Sequence, residues 1–277
     1  MRVRHVTTYT YDEIVPASYS EARLTPLTTA DQYVRRSKLD VSPTPWSQEY
    51  RDYWGTTVQA FEVTDPHDEL VVVSTSNVDT ADETTSLEPM TWEQLAHPDV
   101  QDEYCEFLTL SDATAIDEEL AGEVERLRAG AATPAEFVAA ACDLVRTSVT
   151  RLVAATHVTA TARETWETRK GVAHDLAHLA IGVLRTAGIP ARFVAGYRHP
   201  DPVPEVGATV ETEHHAWLEW FDGSWIGHDV AFGETPGERH VIVSVGREFS
   251  DSPPMRGIYA SQGPAHMDVL VEITRVL

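Results

Sequence analysis

The chain predicts an α+β protein in which an all-β N-terminal domain precedes a mixed core of helices and strands. Three features of its 277 residues carry that expectation. Residues 1–82 are rich in β-branched and aromatic side chains arranged as short runs. Apolar residues at helical spacing then dominate the stretch after residue 133. Strand-like aromatic segments follow those helices, and helices first with strands afterwards define an α+β core.

In the N-terminal part, Val3 to Tyr11 reads as the first strand, with Thr57 to Val63 and Leu70 to Thr75 as later ones. Tyr53-Trp54-Gly55-Thr56 is expected to turn, and Pro26, Pro43, Pro45 and Pro66 punctuate the rest. Short antiparallel strands of this kind suggest a small sandwich or barrel. Residues 83–132 read as a connecting helical region. Asp79, Asp82 and Glu83 mark its start, and Asp117 to Leu127 reads as a solvated helix whose acidic run is an exposed face.

The core is expected over 133–277. Thr133, Pro134 and Glu136 have the order of a capping box with proline in the first turn, and Phe137, Ala141, Leu144 and Val145 form one apolar stripe. Leu176, Leu179, Ala180, Val183 and Leu184 mark a second helix, stopped after Ala187 by Gly188-Ile189-Pro190. Strands are expected at 192–197, 216–221 and 224–228, and a C-terminal strand at 267–276 closes the sheet.

Composition narrows the partners. Acidic residues outnumber basic ones 44 to 21, a formal net charge of −23 that repels nucleic acid and anionic membranes. Lysine occurs only at Lys38 and Lys170. Dense carboxylates with scarce lysine fit adaptation to high salt, and a genome that writes arginine for lysine fits the same pattern. The start of the sequence has no basic-apolar-small leader and no run approaches the ~20 apolar residues of a spanning helix, so a soluble, cytoplasmic protein is expected. Cys105 and Cys142 make neither a disulfide framework nor a metal-ligand spacing, and Cys142 lies in an apolar run that suits an inert buried thiol.

The chemistry-bearing pattern is Gly171-Val172-Ala173-His174-Asp175-Leu176-Ala177-His178, at the start of the second helix. Unpaired amides and the positive end of the helix dipole would stabilise a thiolate there. His215 opens a strand and Asp229 follows the next, so antiparallel pairing would bring imidazole and carboxylate side by side. The layout suits a nucleophile, a base and an orienting acid, yet position 173 is alanine. Trp217, Trp220 and Trp225 read as core aromatics, and Asp175 and His178 as supports of the helix start.

These residues resemble the transglutaminase-like superfamily. Its motif places a glycine and a valine before the catalytic cysteine and an aspartate and a histidine after it. Gly188-Ile189-Pro190-Ala191-Arg192, His215-Ala216-Trp217 and Trp225-Ile226-Gly227-His228-Asp229 are also similar to family segments. Residues 1–82 resemble the N-terminal β domain of many bacterial and archaeal members, and 245–254 a segment that follows the core. The resemblance implies a papain-type fold and a catalytic triad at positions 173, 215 and 229. It also implies thiol acyl transfer or amide hydrolysis on protein or peptide substrates, with no cofactor and no metal.

Ala173 cannot attack a carbonyl, so the resemblance implies an inactive enzyme as written, or a pseudoenzyme that binds protein or peptide without turnover. A deliberate cysteine-to-alanine replacement would account for Ala173 alone. The family continues after the aspartate with proline, threonine and asparagine, whereas Val230-Ala231-Phe232 stand here, which favours drift away from catalysis. A metal-dependent hydrolase is the third reading. His174 and His178 are four apart on one helix face, with His214, His215, His228 or Asp229 as further donors.

Overall fold

The computed structural model describes residues 1–82, 88–153, 160–261 and 263–276; Glu83 of the expected connecting region lies outside them. The N-terminal strands are β1 (Arg2–Val15), β2 (Ser18–Ala22), β3 (Gln32–Ser42), β4 (Trp46–Arg51), β5 (Thr57–Val63) and β6 (His67–Thr80). The three expected ones form, as β1, β5 and β6, and three more, β2, β3 and β4, lie between them. The expected turn joins β4 to β5, with Gly55 at φ 81° and Asp52 Oδ1 accepting the amides of Trp54 and Thr56. Helices follow: α1 (Trp92–Leu95), α2 (Pro98–Glu103), α3 (Glu118–Gly130) and α4 (Pro134–Ser148). Next come the two-residue β7 (Thr150–Arg151), α5 (Ala162–Thr168), the two-residue β8 (Lys170–Gly171) and α6 (Ala173–Thr186). The chain ends in β9 (Ala191–Arg198), β10 (Thr209–Thr212), β11 (His214–Phe221), β12 (Trp225–His228), β13 (His240–Gly246), β14 (Met255–Tyr259) and β15 (Ala265–Thr274). No helix among the described residues is long and apolar enough to cross a membrane.

The strands build sheets in the orders β10-β15-β1-β6-β3, β14-β2-β5-β4 and β12-β11-β9-β13. This amends the expected division at 133. β15 pairs antiparallel with β1 from Arg2↔Thr274 to Tyr11↔Ala265, and β14 pairs with β2. The C-terminal strands therefore complete the N-terminal β body. Pairing of segments more than 230 residues apart leaves no mark in a local pattern. The third sheet belongs to the core, where α6 covers it. Leu176, Leu179, Ala180, Val183 and Leu184 of α6 are buried with Ala191, Phe193 and Ala195 of β9 and with Ala216, Leu218 and Trp220 of β11.

Two helical expectations change in detail. Asp117 caps α3 by accepting the Leu120 amide, but Leu120 and Val124 are buried, so only one face of this helix is solvated. Thr133 caps α4 through the Glu136 amide, while the Glu136 carboxylate accepts from Ala132 rather than closing the box on Thr133. α6 ends as expected: Gly188 adopts φ 82°, and the Ile189 amide returns to the Leu184 carbonyl.

Candidate active site

The start of α6 is built without a side-chain cap from Val172. Asp175 supplies it instead, Oδ2 accepting the Val172 amide at 2.9 Å and Oδ1 the Ala160 amide at 3.0 Å. Burial acts to raise the Asp175 pKa, but His174 and these two amides outweigh it and hold the carboxyl below its ordinary value. Gly171 is needed for close approach, since a Cβ there would stand 2.9 Å from Asp175 Cβ and 3.1 Å from Thr165 Cγ2. One turn on, His178 Nε2 accepts the Phe249 amide at 3.0 Å.

This helix tip opens into a cavity of about 590 Å³. Ala173, His174, His214 and Ala216 form its core side, while His5, Met267 and Val269 face them from β1 and β15. The methyl of Ala173 thus stands where the nucleophile was sought. Neither cysteine replaces it, since Cys105 does not line the cavity and Cys142 is buried, its thiol pushed up to about 12 by burial. His5 donates or accepts at Tyr197 Oη, 2.8 Å away, and burial pushes it down to about 4. His214 is pushed down to about 3, by burial first and then by His5, His174 and His215 around it. The cavity wall is therefore largely apolar, with His5 and His214 held neutral near pH 7 and Glu213 and Asp268 as its carboxylates.

The structure brings the other two expected residues together. His215 Nε2 lies 2.6 Å from Asp229 Oδ2, with the two side chains 3% and 0% exposed. Oδ1 of the same carboxylate accepts the amides of Ala231 and Phe232, so the segment that departs from the family motif caps the aspartate with its backbone. Burial acts to raise the Asp229 pKa, but hydrogen bonds from His215 and His240 outweigh it and hold the carboxyl well below the usual range.

Alternation along β11 separates this pair from the cavity lining. Ala216, Leu218 and Trp220 point under α6, whereas the His215 ring turns to the opposite face beside Trp217, Phe232 and His240. β11 meets the cavity through His214 and Ala216, the two neighbours of His215. The doublet His214-His215 carried that signal, because period two puts one imidazole on each face.

His240 was not found from the sequence. Its Nε2 lies 3.2 Å from Asp229 Oδ2, although β13 stands two places from β11 and three from β12 in the sheet. Arg198 and Glu234 close the cluster, with Arg198 Nε 2.7 Å from Glu234 Oε1 and 3.8 Å from Asp229 Oδ2. For the metal reading on α6, no third donor among the described residues joins His174 and His178, and the Phe249 amide already occupies His178 Nε2. Among the described residues, the three-donor group is His215, Asp229 and His240.

Comparison with known proteins bears on the same residues. Residues 1–79 match the bacterial transglutaminase-like N-terminal region and residues 122–230 the transglutaminase-like superfamily. An uncharacterized protein of Mycobacterium leprae is 37% identical over 276 residues, covering 100% of this chain and 99% of the relative. One from Mycobacterium tuberculosis H37Rv is 28% identical, covering 98% and 91%. The crystal structure of a candidate cysteine protease from Cytophaga hutchinsonii superposes with a TM-score of 0.74 at 22% identity, covering 97% of this chain and 89% of that one.

Proposed function

The chain belongs to the transglutaminase-like superfamily, and from that premise we propose that it is a non-catalytic member that binds a protein or peptide segment in the cavity at the tip of α6. The observation that carries the proposal is the methyl of Ala173 in the cavity wall, at the end of a helix whose cap and glycine approach are otherwise complete. Thiol acyl transfer needs a sulfur lone pair to form the thioester, and alanine offers none. Loss of a nucleophile costs on the order of 10⁶-fold in turnover, by analogy with serine proteases. The apolar wall of Met255, Met267, Val269 and Val271 still offers a surface for an uncharged side chain. Glu213 and Asp268 at the cavity and the net charge of −23 favour neutral or basic segments over acidic ones.

Two measurements test this reading. The parent protein is expected to incorporate no amine into glutamine-bearing peptides and to hydrolyse no peptide amide, while such peptides raise its melting temperature. Turnover that iodoacetamide abolishes would overturn the proposal. In Ala173→Cys, the helix start and adjacent imidazoles should restore a reactive thiol. Iodoacetamide near neutral pH is expected to label position 173 faster than Cys105 or Cys142. Labelling no faster than those two counts against a preserved site.

A further inference from the structure

We propose that His240 is a positioning residue, which shares one carboxylate oxygen of Asp229 with His215 and thereby fixes the orientation and tautomer of that imidazole. The proposal rests on the reading of His215 and Asp229 as the retained pair of the family's site, but its test needs neither a ligand nor a thiol. Asp229 is fully buried and every oxygen position on it is engaged. Oδ1 takes the amides of Ala231 and Phe232, and Oδ2 faces the Nε2 atoms of both histidines at 2.6 and 3.2 Å. The backbone around it is equally held, since the Asp229 amide donates to the Glu234 carbonyl and the Gly233 amide donates to Asp229. An ionised carboxylate only accepts, so each Nε2 must carry a proton.

The far side of His240 supplies an independent reason. Its Nδ1 faces the Gly237 amide at 3.3 Å, and a backbone N–H can only donate. The neutral ring therefore carries its single proton on Nε2 and points it at Asp229. The same feature opposes a cation on these three donors, although their ligand atoms lie within 4.8 Å of one another. Coordination through Nε2 would move the proton to Nδ1, against the Gly237 N–H. The sheet makes the convergence possible. Gly196 of β9 sits between β11 and β13, and a Cβ there would stand 3.0 Å from the Trp217 ring and 2.0 Å from the Val241 carbonyl oxygen. Trp217 uses that space and lies edge-on to His240, with ring centres 5.3 Å apart.

The other charged or titratable groups around the pair are Arg198 of β9, Glu234 of the turn with Arg239 beside it, His228, the residue before Asp229, and His214, the residue before His215. With the second donor removed, Oδ2 is free to turn toward the space that His240 leaves, and its bond to His215 Nε2 is no longer held in line. In His240→Phe a fraction of His215 protonated on Nδ1 should therefore appear. His240→Gln, which keeps an N–H donor, should keep the Nε2 tautomer.

Nitrogen NMR of full-length protein with labelled histidine tests this directly. In the wild-type protein at pH 7.5 both His215 and His240 are expected to carry the proton on Nε2. A His240 protonated on Nδ1, or one whose Nε2 signal is shifted by stoichiometric zinc alone, overturns the proposal without any variant. For folded His240→Phe, a His215 that keeps the wild-type tautomer in full does the same. Failure of peptide binding would leave both NMR results untouched, so the two proposals fail separately.

Discussion

Removing the titration of His178 should make the protein less sensitive to mild acid. This side chain is 2% exposed on α6, with Nε2 accepting the Phe249 amide and a buried Nδ1 that finds no partner among the described residues. Burial, reinforced by His174, pushes its pKa from 6.5 down to about 4. The folded value lies below the unfolded one, so the unfolded chain binds the extra proton between them. Stability is full above pH 6.5 and is lost as pH falls toward about 4. Evaluating that linkage between pH 7.5 and 5.5 gives a loss of about 1.3 kcal/mol from this one histidine. The lower pH is chosen above the sequence pI of 4.7, where loss of net charge would promote precipitation. His178→Gln keeps an acceptor for Phe249 and cannot titrate. His5 and His214 are also depressed by burial, but both proteins contain them and their effect cancels in the difference. Urea unfolding of parent and variant at the two pH values reads the effect, and the parent should lose about 1.3 kcal/mol more than the variant. Equal losses in the two proteins would refute the assignment of a buried neutral imidazole at this position.

Gly182→Ala should destabilise the protein even though alanine is the better helix former. A Cβ at 182 would lie 2.1 Å from the Thr114 carbonyl oxygen and 3.0 Å from Ile116 Cγ2, so α6 must move off the 111–116 segment at a cost of about 1–3 kcal/mol. A lowered urea midpoint checks this, and a raised one counts against the close approach. Raising sodium chloride from 0.1 to 1 M should raise the melting temperature, because screening shortens from about 10 to about 3 Å and relieves repulsion among the excess carboxylates. A melting temperature that falls over that range would argue against self-repulsion as a destabilising force at a net charge of −23.

Local pattern made much of this fold legible. Strands β1, β5 and β6, the Gly55 turn, the stripe of α4 and the stop at Gly188 all depend on residues within a turn or two of one another. The elements that escaped depend on distance. β15 completes the sheet of β1, and nothing near residue 270 points to residue 5. Of the candidate site, the pairing of His215 with Asp229 was legible because β11 and β12 are sequential antiparallel neighbours. His240 was not, because it reaches Asp229 across β9 over a glycine whose importance is steric and local to the sheet.

The motif around position 173 remains recognisable without its nucleophile for a physical reason. Gly171 lets the chain pass Asp175 and Thr165, and Asp175 caps the helix start at Val172 while holding Ala160. His178 anchors Phe249, and Gly188 with Ile189 closes the last turn of α6. Each of these positions bears on packing, and a change at any of them strains a buried contact whatever chemistry the site performs. Residue 173 is different, because its side chain faces a cavity. Exchanging a thiol for a methyl there removes reactivity while leaving the cap, the glycine approach and the helix stripe intact. The same reasoning separates His215 from Asp229. The His215 imidazole lies on the face of β11 away from the cavity, whereas the carboxylate orders the turn through Ala231 and Phe232 and gathers two histidines. Replacing Asp229 would strand those buried donors, so this carboxylate is tied to the fold whatever residue stands at position 173.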